Sequence, residues 1–129
     1  MASSGRIHVA VVDDDENLRR SFARLLRAAG MRPITYASAE AFLADIARPK
    51  LDCLVLDVHL PGMSGIQLQE SLNASGNSTR ILFITAYDDA RAREQAYAMG
   101  CVGYFRKSDS GYEVLNAIKG LVAPRSDTT

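Results

Sequence analysis

The sequence predicts a single α/β domain built on a five-stranded parallel sheet, and three observations predict it. Five short apolar runs alternate with five stretches of helical periodicity, the pattern of parallel strands joined by right-handed crossovers with helices on both faces. The runs at 7–12, 51–56 and 81–85 are continuous, as in strands buried on both sides, and belong at the centre. Pro33 puts the run at 32–36 on one edge, and Gly103 and Arg106 put the run at 101–107 on the other.

Each helix carries its own signals. From Glu16 the period becomes helical, with Leu18, Phe22, Leu25, Leu26 and Ala29 on one face and Arg19, Arg20, Arg24 and Arg27 mostly off it. Gly30 stands where a helix C-terminal glycine belongs. Ser38 caps a second helix carrying Phe42, Leu43 and Ile46, which stops before Pro49. Ser64 and Gln67 form a capping box for a third, through Ile66, Leu68 and Leu72, and residues 73–78 read as a loop. Asp88 or Asp89 starts a fourth, with Ala92, Gln95, Ala96 and Met99 along one side and Gly100 at its end. Its apolar face is small, so it is expected to be the least firmly anchored. Ser110 and Glu113 form a second capping box, opening a last helix with Val114, Leu115, Ile118, Leu121 and Val122.

The totals exclude several classes. At 129 residues the chain buries roughly two thirds of its unfolded surface as one domain. Fifteen basic and fifteen acidic residues balance, so no net field draws it to nucleic acid or an anionic membrane. No run approaches the ~20 apolar residues of a membrane span, and residues 1–6 are too short and polar for a signal peptide. The expectation is a cytoplasmic domain at 7–122, preceded by a disordered or tag-like segment (1–6) and followed by a polar tail or linker start (123–129). Cys53 and Cys101 read as reduced core residues.

The chemistry collects at strand ends. Leu54-Val55-Leu56 runs straight into Asp57 before His59-Leu60-Pro61-Gly62 turns the chain away, and three other apolar runs end on Asp13-Asp14, Thr85 and Lys107. In open sheets of this kind, ligands bind outside the carboxyl ends of the strands. Singly, these residues have bland readings: helix-capping acids, a strand-end threonine, a solvated edge lysine. Together they require four coincidences at one edge. Carboxylates so close raise one another's pKa or demand a cation. A hard divalent ion resolves the conflict, and Mg²⁺ keeps several waters when held by one or two carboxylates. Asp57 is the candidate nucleophile for an aspartyl-phosphate. The metal and Lys107 would neutralise charge on the transferring group, and Thr85 would offer a hydroxyl donor.

Val11-Val12-Asp13-Asp14-Asp15, Asp57 with Leu60-Pro61-Gly62-Met63-Ser64-Gly65, Thr85-Ala86 and Lys107 follow one another on this alternation. They resemble the receiver domain of bacterial two-component response regulators, over residues 7–122. The resemblance implies a flavodoxin-like strand order 2-1-3-4-5 and phosphorylation of Asp57 by the phosphohistidine of a sensor histidine kinase. It implies Mg²⁺ held by Asp14, Asp57 and the His59 backbone carbonyl, with Asp13 acting largely through water. It implies a switch in which Thr85 moves to the phosphoryl group, Tyr104 rotates inward and the helix 4–strand 5–helix 5 face changes shape. His59 and Tyr87 take the positions that line water's approach during autodephosphorylation, and the surface around Leu18 takes the kinase-docking position. Phosphorylation-dependent dimerisation through the 88–122 face is a further expectation, with no direct contact to nucleic acid or membrane. Family members often carry a transcription-regulating DNA-binding domain beyond the receiver.

One position departs from the pattern: Ser108 stands where the family usually has a proline joined by a cis peptide. A cis bond before a non-proline costs ~2.5–4 kcal/mol, which predicts a trans Lys107–Ser108 bond and a remodelled loop into the last helix. In the family's order one strand separates those of Cys53 and Cys101, ~9–10 Å at ~4.8 Å per strand, too far for a disulfide. Three rivals have weaker support. A haloacid-dehalogenase-like phosphatase needs Asp-x-Asp, but position 59 is His and no cap is present. In a flavodoxin-like flavin carrier, three aspartates after the first strand would repel the phosphate. A degenerate receiver, acting as a phosphorylation-independent protein-interaction module, is supported by Ser108 alone.

Overall fold

The strands β1 (His8–Val12), β3 (Cys53–Asp57) and β4 (Ile81–Thr85) are buried along their length apart from His8, as their uninterrupted apolar sequences require. The structure, a computed structural model, describes residues 6–87 and 89–122. With β2 (Arg32–Tyr36) and β5 (Gly103–Arg106) they form one parallel sheet in the order β2-β1-β3-β4-β5. The expected order and both expected edges are therefore present.

Successive side chains on a strand point to opposite faces, and the apolar set divides accordingly. Val9, Val11, Cys53, Val55 and Ile84 pack with Phe22 and Leu26 of α1 (Glu16–Ala28) and with Val114, Leu115 and Ile118 of α5 (Gly111–Val122). Ala10, Val12, Leu54, Leu56 and Phe83 lie on the other face, under α2 (Ala39–Ala44), α3 (Gly65–Ala74) and α4 (Ala90–Ala98). The expected caps form at Ser38 and Asp89, Asp15 caps α1, and the Ser64–Gln67 box is reciprocal. Gly30 takes the left-handed conformation, φ +83°, that ends α1. Asp88, residues 1–5 and the 123–129 tail lie outside the described residues.

Several boundaries differ from the sequence reading. The second helix stops at Ala44, so Ile46 falls outside it and is 92% exposed instead of covering the core. The reason is local competition for the chain. Asp45 accepts from the Tyr36 hydroxyl at 2.6 Å, and Arg48 donates to the Phe42 and Asp45 carbonyls while lying over the Phe42 ring. The third helix runs two residues into the expected loop, and β5 begins at Gly103, not Cys101. The Ser110 hydroxyl accepts from Tyr112 N–H while Glu113 N–H bonds the Ser110 carbonyl, so the second capping box is replaced by a tighter turn. On α4 only Ala92 and Ala96 are buried, and Gln95 is exposed. Two amides from α3 supplement that small face: Gln69 Nε2 donates to the Ala96 carbonyl (3.0 Å) and Asn73 Nδ2 to the Met99 carbonyl (2.9 Å). Among the described residues no peptide bond is cis, so Lys107–Ser108 is trans as expected. Both cysteines are free and buried, and burial pushes the Cys53 thiol up to about 12.

Candidate functional site

Strand register builds the site. Val11 pairs with Val55 and Val12 with Leu56, so the next rung sets Asp13 beside Asp57 on adjacent strands. Each lies two residues beyond a side chain that packs toward α1 and α5, and so shares that face. Lys107 bears the same relation to Phe105, which also packs there. Its ammonium consequently reaches across β4 and stands 3.0 Å from Oδ2 of Asp57 and 3.0 Å from Oδ2 of Asp13.

Asp13 is fully buried and Asp57 is 2% exposed, whereas Asp14 faces solvent. The remaining carboxylate oxygens are held by backbone: Asp15 N–H donates to Asp13 Oδ1 (2.8 Å) and His59 N–H to Asp57 Oδ1 (3.1 Å). Arg19 donates to the Asp13 carbonyl from α1. Close packing fixes the chain after Asp57. A Cβ on Gly65 would stand 2.2 Å from the Asp57 carbonyl oxygen, so only glycine permits this approach. Glu40 of α2 also holds this loop, accepting from Met63 N–H at 2.7 Å, a bond that keeps its carboxyl below the usual range. The sequence reading missed Glu40, because a surface carboxylate 23 residues away carries no local signal.

The electrostatics are those of acids crowded around one cation. Burial raises the pKa of Asp57 and the Asp13 charge adds to it; the Lys107 and His59 bonds oppose this without cancelling it. For Lys107, burial alone would lower the pKa, but the adjacent Asp13 and Asp57 carboxylates outweigh burial and raise it. One oxygen from each of Asp13, Asp14 and Asp57 falls within 4.8 Å of the others. Asp13 Oδ2, shielded from solvent, feels the charge of Lys107 but receives no well-angled hydrogen bond. An all-oxygen donor set with one under-satisfied buried acceptor and a single nearby ammonium suits a hard divalent cation.

Thr85 and Tyr104 stand beside this cluster. Thr85, fully buried, follows Phe83 by two and so shares the α2–α4 face; its hydroxyl donates to the Tyr87 carbonyl (2.8 Å) and accepts from Tyr87 N–H (3.2 Å). The Tyr104 ring packs 6.1 Å from that of Phe83, half-buried, with its hydroxyl out of solvent. The exposed rings of His59 and Tyr87 meet edge-on at 5.9 Å. Asp13, Asp14, Asp57 and Lys107 are thus brought together, and Thr85 is engaged with its own loop.

An open parallel sheet of this order, with buried aspartates and a lysine at its carboxyl edge, defines a receiver-type signalling domain. The chain belongs to the response regulator receiver domain family, which it matches over residues 9–119. It is 33% identical over 111 residues to the response regulator protein TmoT of Ectopseudomonas mendocina, covering 86% of this chain and 50% of the relative. It is 36% identical over 116 residues to the transcriptional regulatory protein TdiR of Thauera aromatica, covering 89% and 51%. The chain spans about half the length of these curated relatives. The crystal structure of FixJ-N superposes with a TM-score of 0.81 at 30% identity, over 91% of this chain and 94% of that one. Among the described residues no helix is long and apolar enough to cross a membrane.

Proposed function

We propose that this domain accepts a phosphoryl group on Asp57 from the phosphohistidine of a sensor histidine kinase, with Mg²⁺ as cofactor. The observation that carries the reading is the Lys107 ammonium 3.0 Å from both buried carboxylates, a cation placed where phosphoryl oxygens would arrive. Asp14, Asp57 and the His59 backbone carbonyl would hold Mg²⁺, with Asp13 acting largely through water. Bound there, the ion supplies charge neutralisation on the phosphoryl oxygens.

The chain's own residues do the rest. An ionised Asp57 oxygen attacks phosphorus as the bond to the donor breaks, and no general base is needed, because the carboxylate is itself the nucleophile. To reach the phosphoryl group, Thr85 releases the Tyr87 carbonyl; that hydrogen bond exists in one state only and therefore shifts the population. Tyr104, next to Phe83 in the core under α4, carries the change to the α4–β5–α5 face, where phosphorylation-dependent dimerisation would follow. His59 and Tyr87 flank water's path during autodephosphorylation. The folded unit is taken as 7–122, in the cytoplasm, with 1–6 and 123–129 as flanking segments and no direct hold on nucleic acid. Relatives named as transcriptional regulators support an output in transcription, delivered through a longer protein. A phosphorylation-independent module is not favoured, since acceptor, acidic pair, hydroxyl and lysine are all in place.

Acetyl phosphate with Mg²⁺ tests this directly. Intact mass should rise by one phosphoryl group in the wild type and stay unchanged in Asp57→Asn; an unchanged wild type overturns the proposal.

A further inference from the structure

Between β3 and α3 the chain makes one turn, residues 58–64, and backbone secures both its ends. Val58 N–H donates to the Ile84 carbonyl, and Gly65 N–H donates to the Val58 carbonyl. Ser64 and Gln67 exchange the two bonds of the capping box. The tip of the turn has less to hold it. Pro61 has no N–H, and of Leu60, Gly62 and Met63 only Met63 has its N–H bonded to a described residue. The acceptor is Oε2 of Glu40, 2.7 Å away, on a different helix and 23 residues earlier.

Helix position alone does not account for this contact. The helix dipole favours an acid in the first turn of α2 wherever its side chain points, yet this carboxylate lies on the turn. Gly62 completes the fit. Its φ is +74°, and a Cβ there would stand 2.5 Å from the same Oε2, so glycine is needed both for the bend and for the approach. Pro61 fixes its own φ and restricts Leu60, whose side chain is buried in the core. The arm 60–61 is therefore stiff, Gly62 is its pivot, and Glu40 holds the chain just beyond the pivot. At the near end of the arm stands His59, whose N–H bonds Asp57 Oδ1. Glu40 itself is exposed and lies outside the Asp13, Asp14 and Asp57 cluster. We propose that Glu40 is a positioning residue for the phosphorylation site, fixing from α2 the turn that aims the His59 carbonyl at the cation. The role rests on the reading of that carbonyl as a Mg²⁺ ligand.

Mg²⁺ titrated into ¹⁵N-labelled protein tests this without any phosphoryl transfer. Losing a group that bonds a metal ligand directly costs ~10–100-fold in affinity. Glu40 acts through the turn, so Glu40→Ala should raise the half-saturating Mg²⁺ concentration by at least about threefold and speed exchange of the Met63 amide. Glu40→Gln keeps an oxygen for Met63 N–H and loses only the charge, so it should stay within about twofold of wild type. Glu70→Ala, which removes an exposed carboxylate from α3, should do the same. A rise below threefold in Glu40→Ala, unchanged exchange at Met63, or a rise above twofold in Glu40→Gln or Glu70→Ala would each overturn the inference. The last two would mean that net charge, not the held turn, sets the affinity. A wild type without Mg²⁺-dependent shifts overturns this role and the Mg²⁺ reading together. Should the wild type bind Mg²⁺ but take no label from acetyl phosphate, the phosphoacceptor reading alone fails, and the Glu40 comparison still decides the positioning role.

Discussion

The Lys107 ammonium donates to Asp57 Oδ2 at 3.0 Å, joining residues fifty apart in sequence at the carboxyl ends of strands separated by a third. The same ammonium faces Asp13, so its removal leaves two buried carboxylates without a counter-charge. Breaking a buried pair from one side costs about 3–5 kcal/mol, and solvent access to Lys107 favours the lower end. Lys107→Ala should therefore lose about 3 kcal/mol in urea unfolding without divalent ions. Adding Asp57→Asn in the same chain should recover part of that loss.

Cation binding should be visible as stability. A ligand held only by the folded state stabilises it by about 2.7 kcal/mol at one hundred times its Kd. Saturating Mg²⁺ should raise the thermal midpoint by roughly 5 °C or more over a chelated sample. Asp14→Asn/Asp57→Asn should abolish the rise.

Two glycines make opposite predictions. An alanine Cβ at Gly65 would drive into the Asp57 carbonyl, which cannot yield without moving Asp57 itself. Gly65→Ala should cost about 3 kcal/mol and sharply slow labelling by acetyl phosphate. At Gly120, in α5, nothing stands within 4 Å of the added carbon. Gly120→Ala should stabilise by about 0.5–1 kcal/mol and leave labelling unchanged.

Alkaline stability should report on Tyr36. Burial and then the bond to Asp45 raise its pKa from 10.0 to about 12. The unfolded chain ionises first, so this contribution is whole below pH 10 and disappears as pH climbs to about 12. Unfolding free energy should fall more steeply over that window in the wild type than in Tyr36→Phe, which retains any Cys53 contribution. At neutral pH the substitution should cost about 1 kcal/mol for the lost hydrogen bond.

Amide exchange should be faster in α4 than in α1 or α5. Its anchorage rests on Ala92, Ala96 and the amides of Gln69 and Asn73. Asn73→Ala should accelerate exchange further in the last turn of α4 while leaving α1 as it was.

The sequence alone determined the sheet's centre, its edges and the alternation of helices, because continuous apolar runs, Pro33 and capping residues act within a few positions of themselves. It also placed Asp13, Asp14, Asp57, Thr85 and Lys107 at one edge, since each ends a strand. The end of the second helix was not legible, because Tyr36 and Arg48 compete for Asp45 and the helix carbonyls from outside the apolar pattern. Neither was the burial of Gln69, whose partner carbonyl lies 27 residues away.

Tertiary structure decided which of the edge residues touch. Register and alternation set Asp13, Asp57 and Lys107 on the α1–α5 face, within reach of one another, and Thr85 on the opposite one, bonded to Tyr87. Which strands lie side by side, and which face each side chain takes there, are set only when the sheet assembles, and distance between charges follows from both.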